Sequence, residues 1–99
     1  MMSSHFQEAA NAQRILTVDD DPVIRNLIRL KFELAGYEVW TAANGNDALN
    51  LIRERGLPHL AIVDLEMPGM TGFEFCRAVQ SFSDLPIIIL TATGTEDVV

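Results

Sequence analysis

Four short apolar runs punctuate this chain of 99 residues, with polar segments between them. "ILTV" (15–18), "YEVWTA" (37–42), "LAIV" (60–63) and "PIIIL" (86–90) are rich in β-branched and aromatic residues and too short for helices. They predict four strands. Between them the apolar spacing changes to that of a helix. Asp21 followed by Pro22 supplies an N-cap acceptor and a proline at the first helical position. Val23, Leu27, Leu30 and Leu34 then recur at helical spacing, Ile24 and Ile28 widen the stripe, and Gly36 ends it. "NGNDALNLIRERG" (44–56) reads as a turn and a short helix with Ala48, Leu49 and Ile52 inward, closed by Gly56. Thr71 and Glu74 form a capping box for a helix over about 72–82. The tail "ATGTEDVV" adds a loop and at most one further helical turn.

Alternation of strand and helix with short connections predicts an α/β domain over 15–99 built on a parallel sheet, preceded by a short arm at 1–14. Strands apolar on both sides agree, because helices cover both faces of such a sheet. In doubly wound sheets ligands sit beyond the carboxyl ends of the strands, where the strand order reverses. The polar residues cluster at those ends. Asp19 and Asp20 follow the first strand, Asp64 the third and Thr91 the fourth.

Composition narrows the partners. Seven basic against fourteen acidic residues give a net charge of −7, which argues against nucleic acid or an anionic membrane surface. The single cysteine, Cys76, forms no internal disulfide, and on "FEFCRAV" it reads as a small core residue. The polar start "MMSSHFQEAANAQR" lacks the apolar core of a signal peptide, and no run is long enough for a membrane helix. A cytoplasmic location is the expectation.

Three consecutive carboxylates at a strand end demand a reason. Asp21 is explained as a helix cap, and an isolated acidic triplet is most often solvated. Asp19 and Asp20 differ because Asp64 and Thr91 occupy corresponding positions on other strands. If the first and third strands are neighbours, about 4.8 Å apart, their carboxylates can share one cation with oxygen ligands at about 2.0–2.1 Å. Without an ion, a like-charge pair at about 4 Å costs on the order of 4 kcal/mol at an effective dielectric near 20. Oxygen ligands without His or Cys select Mg²⁺, Mn²⁺ or Ca²⁺, and a hydrated three-carboxylate site suits Mg²⁺. A magnesium site beside a further carboxylate and a hydroxyl suits phosphoryl transfer. Asp64 is the candidate nucleophile, Thr91 a hydroxyl donor to a phosphoryl oxygen, and Ala92 small enough to leave the approach open.

"ILTVDDDPVIR", "LAIVDLEMPGMTGFEF" and "LPIIILTA", in that order, resemble the strand motifs of response-regulator receiver domains of two-component signalling. The resemblance covers about residues 14–97. It implies a flavodoxin-like sheet of order 2-1-3-4. It implies that Asp64 accepts a phosphoryl group from a sensor histidine kinase or phosphotransfer protein. Asp20 would bind Mg²⁺ directly and Asp19 more through water. Glu66 would offer its backbone carbonyl to the metal, with its side chain at the mouth of the site bearing on phosphoryl lifetime. Thr91 matches the family's switch hydroxyl.

The chain departs from the family beyond its fourth strand. Receiver domains continue into a fifth strand carrying a phosphate-pairing lysine and an aromatic switch residue, and close with a fifth helix. Here the sequence reaches Val99 inside the fourth helix, and Lys31, its only lysine, lies mid-helix. The expectations are therefore an incomplete receiver domain lacking the fifth strand and helix, impaired in switching, and self-association through residues 86–99 along an exposed strand edge. Two other readings stand beside the phosphoacceptor. One is a receiver-shaped interaction module without a phospho-switch. The other is an aspartate-nucleophile phosphatase, disfavoured because Glu66 stands where that class has a second aspartate; the chain is thus expected not to be an enzyme.

Overall fold

The computed structural model describes residues 13–90. All four apolar runs are strands: β1 (Arg14–Val18), β2 (Glu38–Ala42), β3 (Leu60–Asp64) and β4 (Ile87–Leu90). Between them lie α1 (Pro22–Leu34), α2 (Gly45–Arg55) and α3 (Gly72–Gln80). The sheet is parallel throughout, in the order β2-β1-β3-β4, as the resemblance implied.

Local chemistry sets the boundaries. The Asp21 side chain accepts from the Val23 N–H and starts α1, while Gly36 leaves it at φ +100°. Asn44 caps α2 by accepting from the Asp47 N–H. Both halves of the Thr71–Glu74 capping box form. α3 nevertheless stops two residues short of the expected end. Tyr37 falls outside β2 because its N–H turns back to the Phe32 carbonyl at 3.0 Å. Arg14, expected in the arm, opens β1 opposite Glu38.

The core lies between one sheet face and two helices. Leu16, Val18, Trp40, Ala42, Ala61 and Val63 pack with Ala48 and Ile52 of α2 and with Phe75 and Val79 of α3. Strand alternation turns Ile15, Thr17 and Ile62 to the opposite face, where α1 lies across β1 and β2. There the expected role of the α1 stripe fails. No residue of α1 is buried, and Val23, Leu27, Leu30 and Leu34 are all exposed. Arg25, Ile28, Arg29 and Phe32 are the half-buried positions instead.

Thr17 is 1% exposed, and its Oγ1 is buried without a hydrogen-bond partner. A buried, unpaired hydroxyl costs free energy that an isosteric methyl does not. Thr17→Val is expected to stabilise the domain by about 1 kcal/mol. The check is a urea midpoint that rises with an unchanged denaturant slope.

Candidate functional site

The site is built where β1 and β3 run out together. Val18 pairs with Val63, and each strand delivers a carboxylate one residue later. Asp19 is 5% exposed, anchored by its N–H to the Ala42 carbonyl at 3.1 Å. Its Oδ1 accepts from the Asp21 N–H at 2.9 Å, which folds the DDD segment into a turn. That turn sends Asp19 inward, exposes Asp20 and leaves Asp21 free to cap α1. Asp64 is half-buried at the end of β3, and its Oδ1 accepts from the Glu66 N–H at 3.1 Å.

Asp19, Asp20 and Asp64 each offer a carboxylate oxygen within 4.8 Å of the others. On one octahedral Mg²⁺ a trans pair of oxygens lies about 4.2 Å apart and a cis pair about 2.9 Å, so the three carboxylates would draw closer together to share the ion. The donor set is all carboxylate, which fits a hard divalent cation. Electrostatics agree. Burial pushes the Asp19 carboxyl above its usual range, and the charges on Asp64, Asp20 and Asp21 push the same way, against one backbone hydrogen bond that pulls it down. A cation would relieve this repulsion.

The sequence-derived residues Asp19, Asp20 and Asp64 converge, and Glu66 lies exposed beside them. Thr91 and Ala92 lie outside the described residues. Asp21 serves as a cap only. Two supports escaped the sequence reading. Arg25 Nη1 donates to the Asp19 carbonyl at 2.7 Å and pins the loop to α1; its position one turn into the helix was the available signal. Gly72 packs so tightly on the end of β3 that a Cβ there would lie 2.8 Å from Leu65 Cα and against the Asp64 carbonyl group. A glycine directly after a helix N-cap, where most residues propagate a helix better, was its signal.

Three carboxylates at the point where the chain switches from one side of β1 to the other define a doubly wound α/β domain with its site beyond the strand ends. Within that class the chain belongs to the response regulator receiver domain family, which it matches over residues 15–99. Among curated relatives, it is 42% identical over 82 residues to the probable transcriptional regulator ycf27 of Porphyra purpurea, covering 83% of this chain and 33% of that protein. It is 43% identical to the transcriptional regulatory protein AfsQ1 of Streptomyces coelicolor, with coverage of 83% and 36%. The chain thus spans about a third of the length of these relatives. Among solved structures, the chemotaxis response regulator CheY4 of Vibrio cholerae superposes with a TM-score of 0.78 at 39% identity, covering 86% of this chain and 72% of that one. The response regulator TrrA of Thermotoga maritima, in complex with Mg²⁺ and BeF, gives 0.76 at 41% identity, with coverage of 86% and 76%. Among the described residues no helix is long and apolar enough to cross a membrane.

Proposed function

We propose that this domain is a phosphoacceptor in which Asp64 takes a phosphoryl group from a phosphohistidine of a sensor histidine kinase or phosphotransfer protein. Mg²⁺ would be held by Asp19, Asp20 and Asp64, with the Glu66 backbone carbonyl as a further ligand. When bound, the cation supplies neutralisation of charge on the phosphoryl oxygens. The observation that carries the reading is the convergence of the three carboxylates within 4.8 Å at the β1–β3 switch point.

Asp64 Oδ1 is occupied by the Glu66 N–H, whereas Oδ2 accepts no hydrogen bond among the described residues, which leaves it as the nucleophile. Its attack on phosphorus forms an acyl phosphate as the P–N bond of phosphohistidine breaks, and the departing imidazole keeps the electron pair and takes a proton. Asp19 is buried and held by three hydrogen bonds, which fix it at the inner wall of the site where it would act on the cation more through water, and exposed Asp20 would be the direct ligand. The family's switch role would fall to Thr91, with Ala92 beside it leaving room for the phosphoryl group. The domain acts as an acceptor rather than as an enzyme with turnover.

Incubation with a small acyl-phosphate donor and Mg²⁺ is expected to add one phosphoryl mass that hydroxylamine removes. Asp64→Asn should abolish the adduct with the fold intact by circular dichroism. Labelling that persists in this variant would overturn the assignment. The alternative, an association module without phospho-switching, draws on β4, which pairs only with β3 among the described residues and exposes Ile88 and Leu90. Self-association through 86–99 belongs to that reading, and its segment from 91 lies outside the described residues.

A further inference from the structure

We propose that α1 is a homodimerisation helix whose exposed seam packs antiparallel against the same seam of a second copy. Val23, Leu27, Leu30 and Leu34 are separated by four, three and four residues, the spacing of the d and a positions of a heptad. They are 65, 60, 50 and 88% exposed. At about 100° per residue, this seam points directly away from the stripe formed by Arg25, Ile28, Arg29 and Phe32, which are the half-buried positions against the sheet. The outer positions of the heptad are therefore already used by the domain, while its inner positions face water. No described element covers them, and none of the helices on the other sheet face can reach.

The seam is self-complementary. Val23 and Leu34 are equidistant from the point midway between Ile28 and Arg29, and so are Leu27 and Leu30. An antiparallel two-fold about that point sets Leu27 against Leu30 of the second copy and Val23 against Leu34, so each a position meets a d position. The flanks tolerate the pairing. Ile24 faces the aliphatic stem of Lys31, and Asn26 faces Glu33, with no like charges opposed. A parallel pairing would instead bring together both Asp19–Asp21 clusters, at one end, in a chain of net charge −7. The antiparallel one keeps them at opposite ends and opposes the helix dipoles favourably.

The area fits a reversible contact. The four seam residues with Ile24 expose roughly 500 Å² of side chain per copy, at the upper end for a patch on a monomer. Two copies would bury about 1,000 Å², the lower bound for a specific interface. Since the seam stands furthest from the sheet, the two domains lie on opposite sides of the helix pair, and Asp20 stays open. The interface is independent of phosphoryl chemistry.

Sedimentation equilibrium of the chain over a wide concentration range tests the proposal. The wild type is expected to rise from monomer to dimer mass, and Leu27→Lys or Leu30→Glu alone to remain monomeric with unchanged helical content. Mixing those two variants should restore a dimer, because Lys at 27 then meets Glu at 30 in one layer while Leu30 meets Leu27 in the other. Leu34→Lys, at the most exposed position, serves as a second disruptive variant that leaves folding untouched. A monomer mass at all concentrations would overturn the proposal, including the case in which another segment of the same chain covers the seam. So would association that survives the α1 substitutions and disappears with Ile88→Lys at the β4 edge, or the absence of rescue on mixing.

Discussion

Gly72→Ala is expected to lower stability by about 3 kcal/mol and to cost most of the phosphorylation at Asp64. The added methyl would lie 2.8 Å from Leu65 Cα and press on the carbonyl group of Asp64 itself. Both are backbone atoms at the end of β3, tied on one side by the Leu65 N–H to the Leu90 carbonyl at 3.1 Å and on the other by the Gly72 N–H to the Leu65 carbonyl at 3.2 Å. They cannot swing aside as a side chain can. For a domain of this size 3 kcal/mol corresponds to a melting temperature lower by roughly 15 °C. Gly45→Ala is the matched control. There the new Cβ meets the Met70 Sδ at 2.6 Å and Cγ at 2.9 Å, the flexible end of a thioether side chain that can move. It is expected to cost at most about 1 kcal/mol. Thermal melts of the two variants side by side provide the check; equal losses would show that the β3–α3 contact is not the rigid one.

Asp19→Asn is expected to raise stability without divalent cation and to lower it relative to wild type with saturating Mg²⁺. The buried Asp19 carboxyl is pushed up by desolvation first, then by Asp64, Asp20 and Asp21. Its folded pKa therefore lies above the unfolded value of 3.8, and the folded state binds a proton that the unfolded chain has released. Between those two values stability attributable to this group falls as pH rises, and above the folded pKa the full cost is carried. The gain from Asp19→Asn is thus largest at neutral pH and vanishes as pH drops toward 3.8. Mg²⁺ reverses the sign. A site that binds only the folded state adds about 2.7 kcal/mol at a hundredfold Kd, on the order of 10 °C for this size of domain. The variant has lost a ligand and should gain far less. Melting curves with Mg²⁺ and with EDTA at several pH values read both effects; a wild type that ignores Mg²⁺ would remove the cation from the site.

Much of the architecture was written locally. The Asp21–Pro22 start and the Thr71–Glu74 box each act within four residues, so these two helix starts are legible in the chain and are those observed, whereas α2, capped by Asn44, begins at Gly45 inside the stretch that reads as a turn. The four strands were equally legible, with differences of one residue at Arg14, Tyr37, Asp64 and Pro86, where a single hydrogen bond or a missing N–H decides membership. The three acids of the site were legible too, since a carboxylate directly after each of two buried strands has few structural uses. The strand order came from the resemblance and not from the residues, because pairing between strands depends on contacts that periodicity does not record.

What the chain alone determined, then, is everything set by short-range chemistry: element types, helix starts, and which residues carry charge at strand ends. Tertiary structure decided the rest. It bent the DDD segment so that its three like residues became a buried anchor, an exposed ligand and a cap. It put Gly72 against β3, a contact that sequence distance hides. It also rotated α1 away from its apolar spacing, with Ile28 and Phe32 beside two arginines toward the sheet and four aliphatic residues toward solvent. Helical periodicity identifies a stripe but not the surface that stripe meets, since the rotation of a helix about its axis is settled by the anchors at its ends. Here those anchors are the Asp21 cap and the Arg25 bond to the Asp19 carbonyl.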